Sequence, residues 1–288
     1  MRRRQAPWAV AVVGLVGPLL VAGCSGAGAE DGRPRVVAGF YPLEYVAARI
    51  AGEHASVAGL TTPGAQPHDV ELTVQQRGEV SEADLAVYDA SLQPLVAEAV
   101  DQSSPAHVVE TSDLLSPDDP HFWLDATSLV QVGRGVERAL SDADPDHAES
   151  FRENFERLRS DLESIDTAYA RGLESCALDT VVVSHDAFGA LERYGLRFEA
   201  INGISPNAEP SPARVAALRD LVVDAGVSTV FSETLASPEL AQTLAADASV
   251  DTAVLDPIEG LGETTSGEDY LSLMRANLAA LRTANRCT

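Results

Sequence analysis

The sequence predicts an α/β protein of two lobes, each a parallel sheet flanked by helices, joined by one long rigid α-helix. Three observations carry this. Short β-branched runs alternate with helical patterns, as parallel strands with helices on both faces require. A continuous amphipathic stretch, Asp144 to Ser175, falls near the middle of the chain. Beyond it the alternation restarts without any sequence repeat, so the architecture doubles while the sequence does not.

In the central stretch Phe151, Phe155, Leu158, Leu162, Ile165, Tyr169 and Leu173 recur at steps of three or four, giving one apolar face. Pro145 suits a first helical turn, and Asp144 before it can cap the free N–H groups. A helix of about 30 residues reaches roughly 45 Å at 1.5 Å per residue, well beyond the usual length. A coiled-coil or bundle helix is the alternative, but no second heptad tract is present to pair with it. The expected boundaries are an N-terminal lobe over 35–142, a linking helix over 143–176 and a C-terminal lobe over 177–288.

Residues 1–24 read as an export signal: Arg2-Arg3-Arg4, then an apolar run from Trp8 to Ala22 that is short for a membrane span. Val21-Ala22-Gly23-Cys24 looks like a bacterial lipobox, in which Cys24 would be lipidated; a plain secretory signal is the other reading. Residues 25–34 are small and polar, as a flexible tether should be. The expected location is the outer face of the cell membrane, held by the lipid on Cys24. Cys176 and Cys287 then remain as an even pair in an oxidising compartment, and we expect a disulfide between them. Two buried free thiols are the alternative.

In the first lobe, strands are expected at 35–40, 56–60, 84–88 and 107–110, with helices at 43–51, 74–80, 92–100 and from Asp125 to Leu140. In the second, strands fall at 180–184, 197–201, 228–231 and 252–255. Helices there are expected to Tyr194 and at 211–225, 238–247 and 269–284. The formal charge is −24 and every basic residue is Arg. Nucleic acid is thereby excluded as a partner, since phosphate binding needs clustered cationic side chains.

Open parallel sheets bind ligands beyond the carboxyl ends of their strands. His68, His121, His185 and Asp256 all lie in loops just past expected strands, two in each lobe. Imidazole with carboxylate suits zinc or another divalent first-row metal. His54, His107 and His147 lack such loops and read as ordinary histidines.

The surrounding motifs are more specific. The stretch from Pro63 to Thr73 (PGAQPHDVELT), Asp119 to Asp125 (DPHFWLD) and Ser184 to Leu196 (SHDAFGALERYGL) occur in order, followed by Phe231-Ser232-Glu233 and Leu255-Asp256-Pro257. From Arg35 to Cys287 the chain resembles the zinc- and manganese-binding solute-binding lipoproteins of bacterial ABC importers. The resemblance implies a binding protein, not an enzyme, that holds one Zn2+ ion between its lobes and delivers it to an ABC-type permease, as a monomer. His68, His121, His185 and Asp256 are the metal ligands it implies. Asp125, Asp186 and Glu233 are candidates to orient a ligand imidazole. Members with Glu at the third ligand position typically take manganese; His185 stands there in this chain and favours zinc, with Mn2+ or Fe2+ as alternatives. Residue 66 is Gln where many members carry Asp, and no His-rich loop separates Thr73 from His121.

A stiff linking helix disfavours large hinge closure, so local shifts of the loops bearing His121 and Asp256 are expected on metal loss. The rival reading, an extracellular zinc-dependent hydrolase, lacks an HExxH helix, and a fourth protein ligand would close the site to an activated water. A surface adhesin with an incidental metal leaves the ligand motifs without a purpose. A haem or siderophore binder needs an aromatic-lined cleft, and only 5% of residues are aromatic.

Overall fold

A computed structural model describes residues 32–115 and 120–288. The expected signal, the lipidation site Cys24 and most of the tether lie outside the described residues. Residues 33–288 form one compact unit containing two four-stranded, wholly parallel sheets. The first sheet comprises β1 (Arg35–Ala38), β2 (Ser56–Gly59), β3 (Leu85–Tyr88) and β4 (His107–Glu110), in the order β2-β1-β3-β4. The second comprises β5 (Thr180–Val183), β6 (Arg197–Ala200), β7 (Thr229–Ser232) and β8 (Asp251–Val254), in the matching order β6-β5-β7-β8.

The first lobe carries α1 (Tyr41–Ala51), α2 (Val74–Ser81), α3 (Pro94–Ser103) and α4 (Ala126–Ala143). After the long α5 (Ala148–Gly172), the second lobe carries α6 (Pro212–Asp224), α7 (Glu239–Ala248) and α8 (Tyr270–Ala284). Two expected elements differ. The segment Gly189–Tyr194 is a 3-10 helix rather than an α-helix. The long helix has 25 residues and begins at Ala148, because Pro145–His147 forms a 3-10 turn. Asp144 does not cap it; its carboxylate lies 2.6 Å from His147 Nδ1. At 1.5 Å per residue α5 is about 38 Å long.

Strand alternation explains the layering. Val36, Ala38, Leu85 and Val87 enter a central core, while Val37, Ala86 and Tyr88 face an outer one with Val96 and Val100 of α3. In the second sheet Val181, Val183 and Phe231 face the same central core, and Val182 and Val230 face an outer core with Leu218 and Leu244. Both sheet faces are therefore apolar, as buried parallel strands require.

The central core runs without a break through both lobes, and the apolar face of α5 is its spine. Toward its N-terminus, Phe155 packs against Gly133 of α4, where an added Cβ would meet the ring at 3.3 Å. Toward its C-terminus, the Tyr169 hydroxyl donates to the Met274 carbonyl of α8 at 2.8 Å. Cys176, just past α5, and Cys287, just past α8, form a disulfide across 111 residues.

A shared core predicts shared unfolding. We expect the chain to melt in one cooperative transition, and Leu162→Ala to destabilise it by about 2–5 kcal/mol through the cavity left in the core. Calorimetry showing two resolved transitions, with only one moved by the substitution, would contradict this.

Candidate metal centre

Three histidines leave the carboxyl ends of strands and meet at the seam between the sheets. His68 follows β2 in the 3-10 turn Pro67–Asp69, and His121 precedes the 3-10 turn Phe122–Leu124 after β4. His185 lies two residues past β5. Their ring centroids are 5.2–5.9 Å apart. The fourth member is Glu259, and donor atoms of all four lie within 4.8 Å of one another.

The spacing is that of a coordination shell. Glu259 Oε1 lies 3.0 Å from His68 Nε2, 3.5 Å from His121 Nε2 and 3.2 Å from His185 Nε2. The His68 and His121 Nε2 atoms are 3.2 Å apart. A tetrahedron with metal–donor bonds of about 2.0–2.1 Å has edges of about 3.3 Å. Despite the short His185–Glu259 distance, the direction is not that of a hydrogen bond. His185 Nε2 and Glu259 Oε2 are both buried without a hydrogen-bond partner. Orphaned buried polar atoms of this kind are rare and call for an explanation; a divalent cation among the four donors fits them.

Asp256, expected as the fourth ligand, is not in the cluster. Its Oδ1 accepts from the Ile258 amide at 2.7 Å and its Oδ2 from the Thr234 hydroxyl at 2.8 Å. Its backbone N–H and C=O are both paired with the Asn277 side chain. The carboxylate thus organises the turn after β8. In that turn Ile258 takes φ 57°, a conformation β-branched residues rarely adopt, and the chain delivers Glu259 to the centre instead. Asp256 followed the strand directly in sequence; Glu259 sits beyond a turn that only the folded chain defines.

Of the three acids considered for orienting an imidazole, only Glu233 touches one. It faces His185 Nδ1 at 2.7 Å and accepts from the His185 amide at 3.0 Å, which holds the ring with Nε2 toward the centre. Asp125 instead caps α4 through the Thr127 amide and pairs with Arg193. The side chain of Asp186 is exposed to solvent.

Two residues that sequence reasoning passed over also support the site. Gln93, on the loop before α3, donates to the Gly39 carbonyl at 3.1 Å and reaches the Pro67 carbonyl at 3.5 Å, beside His68. Trp123 is fully buried, and its indole N–H donates to the Pro257 carbonyl at 2.7 Å. The Tyr270 hydroxyl donates to the Trp123 carbonyl at 2.6 Å. Trp123 therefore fastens the His121 segment to the loop carrying Glu259. The motif around His121 held the only signal for it.

The electrostatics are those of an anion among imidazoles. Burial works against a charged His185, but the hydrogen bond to Glu233 and the negative charges of Glu233 and Glu259 prevail and lift it to about 9. Burial likewise opposes the charged form of Glu259, yet the close imidazoles of His121, His185 and His68 hold it well below the usual carboxylate range. Asp256 moves the other way: burial raises it, only partly offset by the Ile258 amide and the Thr234 hydroxyl.

Comparison with known proteins finds relatives along most of the chain. The family model described as zinc-uptake complex component A, periplasmic, matches residues 36–284. The zinc-binding lipoprotein AdcA of Streptococcus pneumoniae is 33% identical over 92% of this chain. The chain spans only 58% of that protein's length. The high-affinity zinc uptake system protein ZnuA of Bacillus subtilis is 28% identical, over 92% of this chain and 93% of that protein. Among solved structures, the Zn(II)-bound ZnuA-like domain of S. pneumoniae AdcA superposes with a TM-score of 0.77 at 34% identity, covering 88% of this chain and 99% of the domain. The laminin-binding protein Lmb of Streptococcus agalactiae superposes with a TM-score of 0.81 at 28% identity, over 87% of this chain and 99% of that one. With a family model matched over most of its length, the chain belongs to the zinc-uptake complex component A family of periplasmic solute-binding proteins.

Proposed function

We propose that the protein captures zinc outside the cytoplasm and hands it to an ABC-type permease, acting as a monomer tethered by lipid at Cys24. His68, His121 and His185 bind the ion through Nε2, and Glu259 supplies the fourth donor. The observation that carries this is four donor atoms from two lobes within 4.8 Å of one another, beside two buried atoms, His185 Nε2 and Glu259 Oε2, that have no hydrogen-bond partner. Three imidazoles and one carboxylate favour zinc over manganese or iron, since nitrogen is a softer donor than oxygen. Four protein donors also leave no open position for an activated water, which accords with transport and not with hydrolysis. The names of the relatives point the same way.

Competitive titration with zinc, manganese and iron tests the assignment. We expect one tight zinc site per chain, weakened about a hundredfold or more by His185→Ala or Glu259→Ala. Asp256→Asn should weaken it far less, because Asn can still accept from the Ile258 amide. Equal losses from the two acid substitutions would return Asp256 to the ligand set.

Proton competition supplies a second check. A histidine near 9 carries a proton at neutral pH that zinc must displace. Apparent zinc affinity should therefore rise about tenfold per pH unit from pH 7 to 8.5 and flatten above His185's own range. For the metal-free fold the sign is reversed. A raised histidine contributes stability that is complete below its unfolded value and is lost as pH climbs through about 9. A pH-independent zinc affinity over that window would contradict the proton on His185.

Because one core joins the lobes, loading should produce little overall compaction. Small-angle scattering curves with and without zinc should nearly superimpose; a large decrease in radius of gyration would contradict a stiff body.

A further inference from the structure

The loop carrying His68 is fastened to the opposite lobe by side chains outside the donor set. Gln66 Nε2 donates to the Leu235 carbonyl at 3.2 Å, just past β7. Asn207, on the loop before α6, donates through Nδ2 to Gln66 Oε1 at 3.1 Å and to Asp69 Oδ2 at 2.8 Å. The Gly64 amide donates to the Leu261 carbonyl at 2.9 Å, two residues past Glu259. Gly260 makes this approach possible: an added Cβ would lie 3.3 Å from the Ala65 carbonyl oxygen and 3.4 Å from Leu235.

The same loop is the outer wall of the centre. The His68 side chain is 9% exposed, against 0%, 0% and 1% for His121, His185 and Glu259. A cavity of about 280 Å³ reaches His68, with Asp69 and Gln93 in its wall. A second, of about 140 Å³, reaches Glu259 past Glu44 and Thr62. Both cavities are lined by this loop, Pro67 to Glu71 in the first and Thr62 and Pro63 in the second.

We propose that Gln66, Asn207 and Asp69 form a latch across the cleft that sets how fast the bound cation is released, acting as positioning residues for His68. The proposal rests on the metal-binding reading above. Its chemistry requires an amide at position 66, because that side chain must donate to Leu235 and accept from Asn207 at once. A carboxylate there would face the Leu235 carbonyl with no proton to offer. Asn207 supplies both of its bonds from one donor nitrogen, so an acid at 207 would meet Asp69 charge to charge.

Zinc dissociation from the full chain into excess EDTA, followed by stopped flow, tests the latch. Gln66→Glu and Asn207→Asp should each speed release about ten- to hundredfold, with association rate unchanged and the metal-free unfolding midpoint lowered by no more than about a few degrees. Pairing Asn207→Asp with Asp69→Asn exchanges donor and acceptor in the 207–69 bond but leaves Gln66 Oε1 without its donor, so it should recover part of the loss, slowing release by about threefold or more from the Asn207→Asp rate. Wild-type release rates in both single variants would overturn the latch. So would faster release that follows a lowered unfolding midpoint and is not rescued by the exchange. If the unsubstituted chain holds no stoichiometric zinc, the metal-binding reading fails instead.

Discussion

Everything in this molecule serves one constraint: four polar groups, drawn from two lobes, must stay buried within bonding reach of a single point. An unsatisfied buried acceptor is destabilising by about 1–3 kcal/mol, more when it is charged. Glu259 is 1% exposed with one oxygen unpartnered, and His185 is wholly buried with its Nε2 unpartnered. A chain tolerates such a cluster only if the surrounding body is too well packed to collapse around it. The unbroken apolar core along α5 supplies that body. Parallel topology supplies the rest, by sending every loop after a strand toward the same edge of its sheet.

Much of the fold was legible because its signals are local. Buried strands such as Thr180–Val183 announce themselves as β-branched runs, and α5 as a three-and-four periodicity. Its first turn was misread because Pro145 fits both the N-terminus of an α-helix and a 3-10 turn. The competition was settled when the Asp144 carboxylate paired with His147 instead of capping the backbone. Three of the four clustered donors were legible for a similar reason, since each histidine sits in a distinctive motif close behind a strand.

The fourth was not, and the reason is physical. Asp256 and Glu259 are both acids in one short loop, and spacing alone favours the one nearer the strand. Which one reaches the centre depends on a turn fixed by bonds from Ile258, Thr234 and Asn277, none of them readable as a pattern. The orienting acids divide the same way. Asp125 and Asp186 lie beside or near histidines in sequence, whereas Glu233 reaches His185 across a β5–β7 pairing 48 residues away. Residue 66 looked like a matter of loop shape; folded, it spans the cleft.

A closed tetrahedral set is how proteins keep zinc permanently, so the zinc-capture function proposed above requires one donor to let go. Three of the four are poorly suited to leave. His185 is held by two bonds to Glu233, His121 is buried beside a Trp123 anchored at both ends, and Glu259 follows a turn locked by Asp256. These attachments argue against the expected mobility of the His121 and Asp256 loops. His68 differs: it sits on one turn of 3-10 helix, at the solvent edge, tied across the cleft chiefly by neutral side-chain and backbone hydrogen bonds. Contacts of that kind exchange readily for bonds to water or to another protein surface, because each contributes only about 0.5–1.5 kcal/mol net. On the proposed reading, tight capture and prompt release are compatible because the rigid body would fix three donors and leave the fourth on a tether.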